Sequence, residues 1–139
     1  MVGPAVFFAF NLLFGGVLEE PGWRGLLLDR LLTRHSPLWA SMLVWFPWAV
    51  WHAPLDYFRP VRFSLIEYLL LRVVFLIPIT VLLTWVDRRS RRSIQATAVF
   101  HATMNTYPFA VPYYAPAWAL HFALAGYAIV ADQIWRRAS

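Results

Sequence analysis

Apolar residues run through this chain in long uncharged stretches broken by short polar ones. Val2 to Leu18 carries no charge and one strongly polar side chain, Asn11. That stretch is slightly short of the ~20 residues a membrane helix needs. Pro37–Ala53, Phe63–Val86, Ser93 to about Thr106 and Ala117–Trp135 follow as further apolar runs. Pro37 suits a first helical turn, Pro47 should bend its helix and Pro54 should end it. Trp45, Trp48 and Trp51 fall near the far end of that run, where tryptophan commonly anchors a helix at headgroup level. Gly22–Ser36 is different, with Leu26, Leu27, Leu28, Leu31 and Leu32 set against Arg24, Asp29, Arg30 and Arg34. It reads as a short amphipathic helix at the interface. Tyr107–Pro116, with three prolines, reads as a turn or irregular re-entrant stretch. The pattern predicts an all-α, polytopic transmembrane bundle of about five membrane helices plus one interfacial helix, in a single domain over residues 1–139.

Composition sharpens this picture. The chain is 60% hydrophobic and 14% charged, with a mean hydropathy of +0.55, against ~45–50% and ~25% in soluble domains. A net charge of +5 raises the question of nucleic acid. The arginines sit between apolar runs, where membrane topology explains them, so no nucleic-acid partner is expected and membrane lipid is. Placing the C-terminus in the cytoplasm puts Arg24, Arg30, Arg34, Arg88, Arg89, Arg91, Arg92, Arg136 and Arg137 inside, and Arg59 and Arg62 outside. That is the bias expected of a multi-pass protein of a bacterial-type plasma membrane. Arg72 and Glu67, inside the third run, read as snorkelling or paired side chains. Cysteine is absent, which removes disulfides, thiolate nucleophiles and cysteine-bound metal. Val2–Leu18 lacks the basic start and small-residue cleavage site of a signal peptide.

Against this background three polar clusters stand out: Glu19, Glu20 and Arg24; His52; and His101 with Asn105. Paired carboxylates at the end of an apolar helix are costly beside lipid and mark function by default. Glu20 and Arg24 share a helix face, as do His101 and Asn105, four residues apart. Pro21 requires either a bend there or a new helix that carries it in the first turn. Carboxylate with imidazole suits activation of water by a general base, or ligation of a metal with an open position. A histidine beside an asparagine suits hydrogen bonding to a developing oxyanion. Each group also has a plainer reading: Glu20–Arg24 as a structural ion pair, Asn105 and His121 as interhelical hydrogen-bonding groups, His35 as a solvated side chain. The chain has no H-E-x-x-H helix, no G-x-S-x-G elbow and no pair of intramembrane aspartates. The arginine pattern puts Glu19 and Glu20 toward the cytoplasmic leaflet and His52 nearer the opposite side, so a shared site needs a bent helix or a mid-membrane cavity.

Glu19-Glu20-Pro21-Gly22-Trp23-Arg24, Trp48-Ala49-Val50-Trp51-His52 and His101-Ala102-Thr103-Met104-Asn105 together resemble the motifs of the CPBP family. This is the Abi / type II CAAX prenyl endopeptidase group of intramembrane proteases. The likeness covers a motif-bearing core of residues 18–106. It implies a membrane endopeptidase with Glu19 as general base, working with His52 to activate water. His101 and Asn105 would stabilise the oxyanion, and Glu20, Arg24 and Trp48 would support the site. Trp48 stands where phenylalanine is common. The substrate implied is a membrane-associated peptide or protein, prenylated in one version. No cofactor is favoured, because Asn105 is a better oxyanion donor than zinc ligand. Zinc held by Glu19, His52 and His101 is the alternative. Family members usually carry further helices before the first motif, so an N-terminally shortened form or gene fragment is expected. The competing functions are a non-catalytic membrane interaction protein, of immunity or chaperone-like type with a relic site, and a plain structural bundle.

Overall fold

The computed structural model describes residues 3–57, 65–110 and 114–136, and every regular element among them is helical. The chain opens with α1 (Pro4–Asn11), which passes into a wide-turned π-helix, π1 (Leu12–Val17). A second π-helix, π2 (Pro21–Leu28), runs on into α2 (Asp29–Leu32). Then come α3 (Pro37–Tyr57), α4 (Leu65–Arg89), α5 (Ile94–Ala110) and α6 (Tyr114–Ala131). Asn11, the polar residue of the first run, is satisfied on its own helix, its amide donating to the Phe7 carbonyl at 2.8 Å.

Pro21 begins a new helical segment, its missing N–H falling in a first turn where no partner is required. Glu20 before it nonetheless keeps helical angles (φ −61°, ψ −35°), so the steric bias of the pre-proline residue is overridden by packing. The stretch predicted to lie flat at an interface instead packs against α3 as its antiparallel neighbour. Leu28 is fully buried against Ala40 and Val44, with Trp23, Leu27, Leu31 and Leu32 around them. Pro54 does not end α3, which continues to Tyr57 with Pro47 and Pro54 both inside it. A proline removes one backbone bond, and a helix fixed by its neighbours tolerates that loss. Likewise α5 runs past Thr106 to Ala110, into the stretch expected to be irregular. Residues 111–113, Arg59, Arg62 and the side chains of Glu67 and Arg72 lie outside the described set.

Three packed clusters hold the helices together. Trp48 and Ala49 of α3 meet Leu76, Ile79 and Leu83 of α4, and the Trp45 indole donates to the Val73 carbonyl at 2.8 Å. Val81 and Leu82 of α4 meet Ala125 and Ala128 of α6. π1 lies directly on α5, where a Cβ on Gly16 would stand 2.7 Å from the Ala98 carbonyl oxygen. Small residues let these two backbones approach. The arginine-bearing segments gather at one end: Arg92 pairs with Asp29 at 2.7 Å, and Arg89 with Asp132 at 2.6 Å. At that end α4 closes in a Schellman motif, with Arg92 N–H on the Asp87 carbonyl and Arg91 N–H on that of Arg88. Arg91 (φ 57°) and Arg92 (φ 68°) are both left-handed there. The outer surface is strongly apolar, with Phe10, Leu18, Trp39, Phe46, Val50 and Val130 all exposed. No helix among the described residues is long and apolar enough to cross a membrane.

Gly16→Ala should lower stability by about 1–3 kcal/mol, since backbone must move to admit the methyl group. Gly126→Ala, with nothing within 4 Å, should raise it by up to about 1 kcal/mol. Thermal unfolding of the two variants in detergent checks the contrast.

Candidate active site

The wide turns of π1 and π2 flank the carboxylate pair. Rare π turns are frequent at functional sites because they re-aim side chains within a continuing helix. Here consecutive acids reach different partners. Glu19 faces α3 and accepts the Trp48 indole N–H on Oε2 at 3.0 Å. Glu20 faces α5 and is fully buried. Its Oε1 accepts from Arg24 Nη1 at 2.8 Å and from His101 Nδ1 at 2.7 Å. Arg24, one turn on, is fully buried as well. The resemblance made Glu20 a supporting residue. In the structure it, and not Glu19, is the carboxylate against His101.

A carboxylate accepts, so His101 Nδ1 carries the proton and Nε2 is the nitrogen turned away from Glu20. Nε2 points over Gly15: a Cβ there would lie 3.5 Å from it and 3.2 Å from Asn105 Nδ2. The imidazole and the amide thus both border the position that a side chain at residue 15 would take, and glycine lets them lie this close to π1. His101 is buried, whereas Asn105, one turn further on, is exposed. On α3, His52 Nδ1 donates to the Trp48 carbonyl at 2.8 Å, which leaves Nε2 as the basic nitrogen of the neutral ring.

Trp48 is the wall these groups share. Its ring meets His52 and His101 edge-on, with centroids 5.3 and 5.4 Å away, and Arg24 lies over it at 4.7 Å. It is 1% exposed, so of the three tryptophans expected at a membrane interface this one is core. Trp45 is half-buried and bonded to α4, and Trp51 is largely exposed. Because Glu19 meets Trp48 one turn before His52, the expected mismatch in depth between the first motif and His52 does not arise. His121 contacts Met104 Sδ at 3.0 Å, away from this centre, and His35 lines a cleft with Leu32, Pro37, Arg88 and Arg92 at the arginine end.

Zinc was the alternative for Glu19, His52 and His101. Among the described residues no three histidine, aspartate or glutamate side chains gather as a metal-binding group; the bond from His101 Nδ1 to Glu20 leaves Nε2 as the nitrogen that could meet a ligand. Sequence reasoning passed over Gly15, whose only signal was a Gly15-Gly16 pair inside an apolar helix, and undervalued Trp48.

The fold and the centre together describe an all-helical protein with a buried acid–imidazole core. The family model for Rce1-like type II CAAX prenyl endopeptidases matches residues 1–107. CAAX prenyl protease 2 of Methanococcus maripaludis is 34% identical over 101 residues, which is 69% of this chain and 37% of the relative. The chain belongs to the Rce1-like type II CAAX prenyl endopeptidase family. Its matched part spans little more than a third of that relative's length. No solved structure gives a significant match.

Removing the charge of Glu20 leaves Arg24 buried without its anion. Glu20→Gln should therefore cost about 3–5 kcal/mol, while Glu19→Gln, which keeps an acceptor for Trp48, should stay within about 1 kcal/mol. Chemical unfolding of both variants separates the two adjacent acids.

Proposed function

We propose that the chain is the catalytic core of a membrane endopeptidase that hydrolyses a peptide bond of a membrane-associated, prenylated substrate. The observation that carries this reading is the meeting of His101 Nε2 and Asn105 Nδ2 over Gly15, beside the Glu20–Arg24 pair. Two donors aimed at one small space are what a tetrahedral oxyanion requires. Glu20 holds His101 through Nδ1, and a proton on Nε2 makes that nitrogen the donor to the oxyanion.

In this reading Glu19, with His52, takes a proton from water, whose oxygen attacks the scissile carbonyl carbon. The carbonyl oxygen becomes the oxyanion held by His101 and Asn105. As the intermediate collapses, the proton passes to the leaving amine and the carbon–nitrogen bond breaks. Glu20 and Arg24 hold His101, and Trp48 holds Glu19 through its indole N–H. No metal enters the scheme. The polytopic arrangement is supported by the apolar outer side chains, and the arginine-rich end is assigned to the cytoplasm on charge bias. The prenylated substrate class is carried over from the archaeal relative, a CAAX prenyl protease 2.

The test uses the purified full chain in detergent or liposomes with a farnesylated CAAX-type peptide, products being read by mass spectrometry. Glu19→Gln should lower kcat/KM by about 10²–10⁴-fold while the fold survives. Gly15→Ala should lower kcat by about 10²–10³-fold, its methyl standing where the oxyanion would sit. A zinc chelator should leave the rate unchanged. Cleavage by Glu19→Gln at the wild-type rate would sink the assignment.

A further inference from the structure

Asp87, in the last turn of α4, heads a run of arginines, where an acid would ordinarily face water. It is instead fully buried. Its Oδ2 meets Arg92 Nη1 at 2.9 Å, and Arg92 in turn holds the exposed Asp29 at 2.7 Å. α4 packs on π2, the segment that carries Arg24, and the charges of Arg24 and then Glu20 act on Asp87 after that of Arg92. Burial pushes the Asp87 carboxyl up, and Arg92 and Arg24 pull it back down. Arg24 and Asp87 make no direct ion pair. Yet Arg24 Nε and Nη2, both carboxylate oxygens of Asp87 and Glu20 Oε2 are buried without a hydrogen bond among the described residues, as is Thr106 Oγ1, and the contact of Asp87 Oδ2 with Arg92 is an ion pair only. Buried polar atoms of this kind are normally satisfied, and a bridging water does so where several converge. The atoms of Arg24, Asp87 and Glu20 are two donors and three acceptors, and a bridge needs both kinds.

We propose that Asp87 is a positioning residue of the catalytic centre: with Glu20 it holds Arg24 from two sides, bridged through buried water. The charges then alternate along one line, from His101 to Glu20, Arg24, Asp87, Arg92 and Asp29. That line ties α5, π2, α4 and α2 together and ends at the protein surface. Arg24 cannot swing toward Glu20 alone, because Asp87 draws its other edge. The carboxylate that orients His101 therefore keeps its second lone-pair direction for the imidazole. The left-handed angles of Arg91 and Arg92 fit this role. They turn the chain so that Arg92 reaches back to Asp87, at a conformational cost that glycine would escape.

The catalytic part of this inference rests on the endopeptidase reading; the clamp itself does not. A thermal-unfolding cycle with Asp87→Asn, Arg24→Met and the double variant, on the full chain in detergent, tests the clamp. The double variant should lose clearly less in Tm than the sum of the single losses, and additive losses would overturn the proposal. The farnesylated peptide then tests positioning. Asp87→Asn should lower kcat by about 10–100-fold, the scale of a small misplacement, at unchanged KM, and Asp87→Glu should recover most of it. Unchanged kcat in the folded Asp87→Asn protein would make Asp87 merely structural and overturn positioning. If the wild-type chain cleaves no peptide, the endopeptidase reading fails and positioning falls with it, while the Tm cycle still decides the clamp.

Discussion

One carboxylate oxygen organises this protein. Glu20 Oε1 receives Arg24 and His101 together, wholly out of contact with solvent. A buried charge is tolerated only when its partners are close and hydrogen-bonded. That requirement fixes π2 against α5, and through Arg24 and Trp48 it fixes both against α3. The apolar contacts supply most of the cohesion, but they are not directional. The shared acid supplies register, deciding which turn of each helix faces the others.

The geometry also depends on what is missing from two positions. Gly15 and Gly16 bring π1 within touching distance of α5. At Gly16 the space is filled by the backbone of α5. At Gly15 the neighbours are the imidazole of His101 and the amide of Asn105. The same pair of small residues thus serves close packing on one side and polar neighbours on the other. The wide turns on either side of Glu19 and Glu20 let neighbouring acids serve α3 and α5 separately.

Much of this was legible in the residues. The order of helical segments follows from the apolar runs, and the i,i+4 spacing of Glu20 with Arg24 predicted a pair that the structure contains. The three motifs pointed to a family that the comparisons bear out. Other features were hidden for physical reasons. Amphipathicity says which face of Gly22–Ser36 is apolar, not whether a membrane surface or α3 covers it. Pro54 breaks one hydrogen bond, and only the surrounding helices decide whether the segment continues. Asp87 looks solvated in a run of arginines, because the buried Arg24 that faces it lies over sixty residues away in the chain. Trp48 and its neighbours are alike by composition; only packing separates the core ring from the outer ones.

The difference in exposure between His101 and Asn105, one helical turn apart, has a consequence for access. A carbonyl seated over Gly15 would be gripped from the dry interior on one side and from the rim on the other. A backbone can present its oxygen at such a ledge only where that oxygen is not already engaged in a helix or sheet. On the proposed reading, such a site would take a peptide bond from an extended tail and not the same bond from within a helix or sheet.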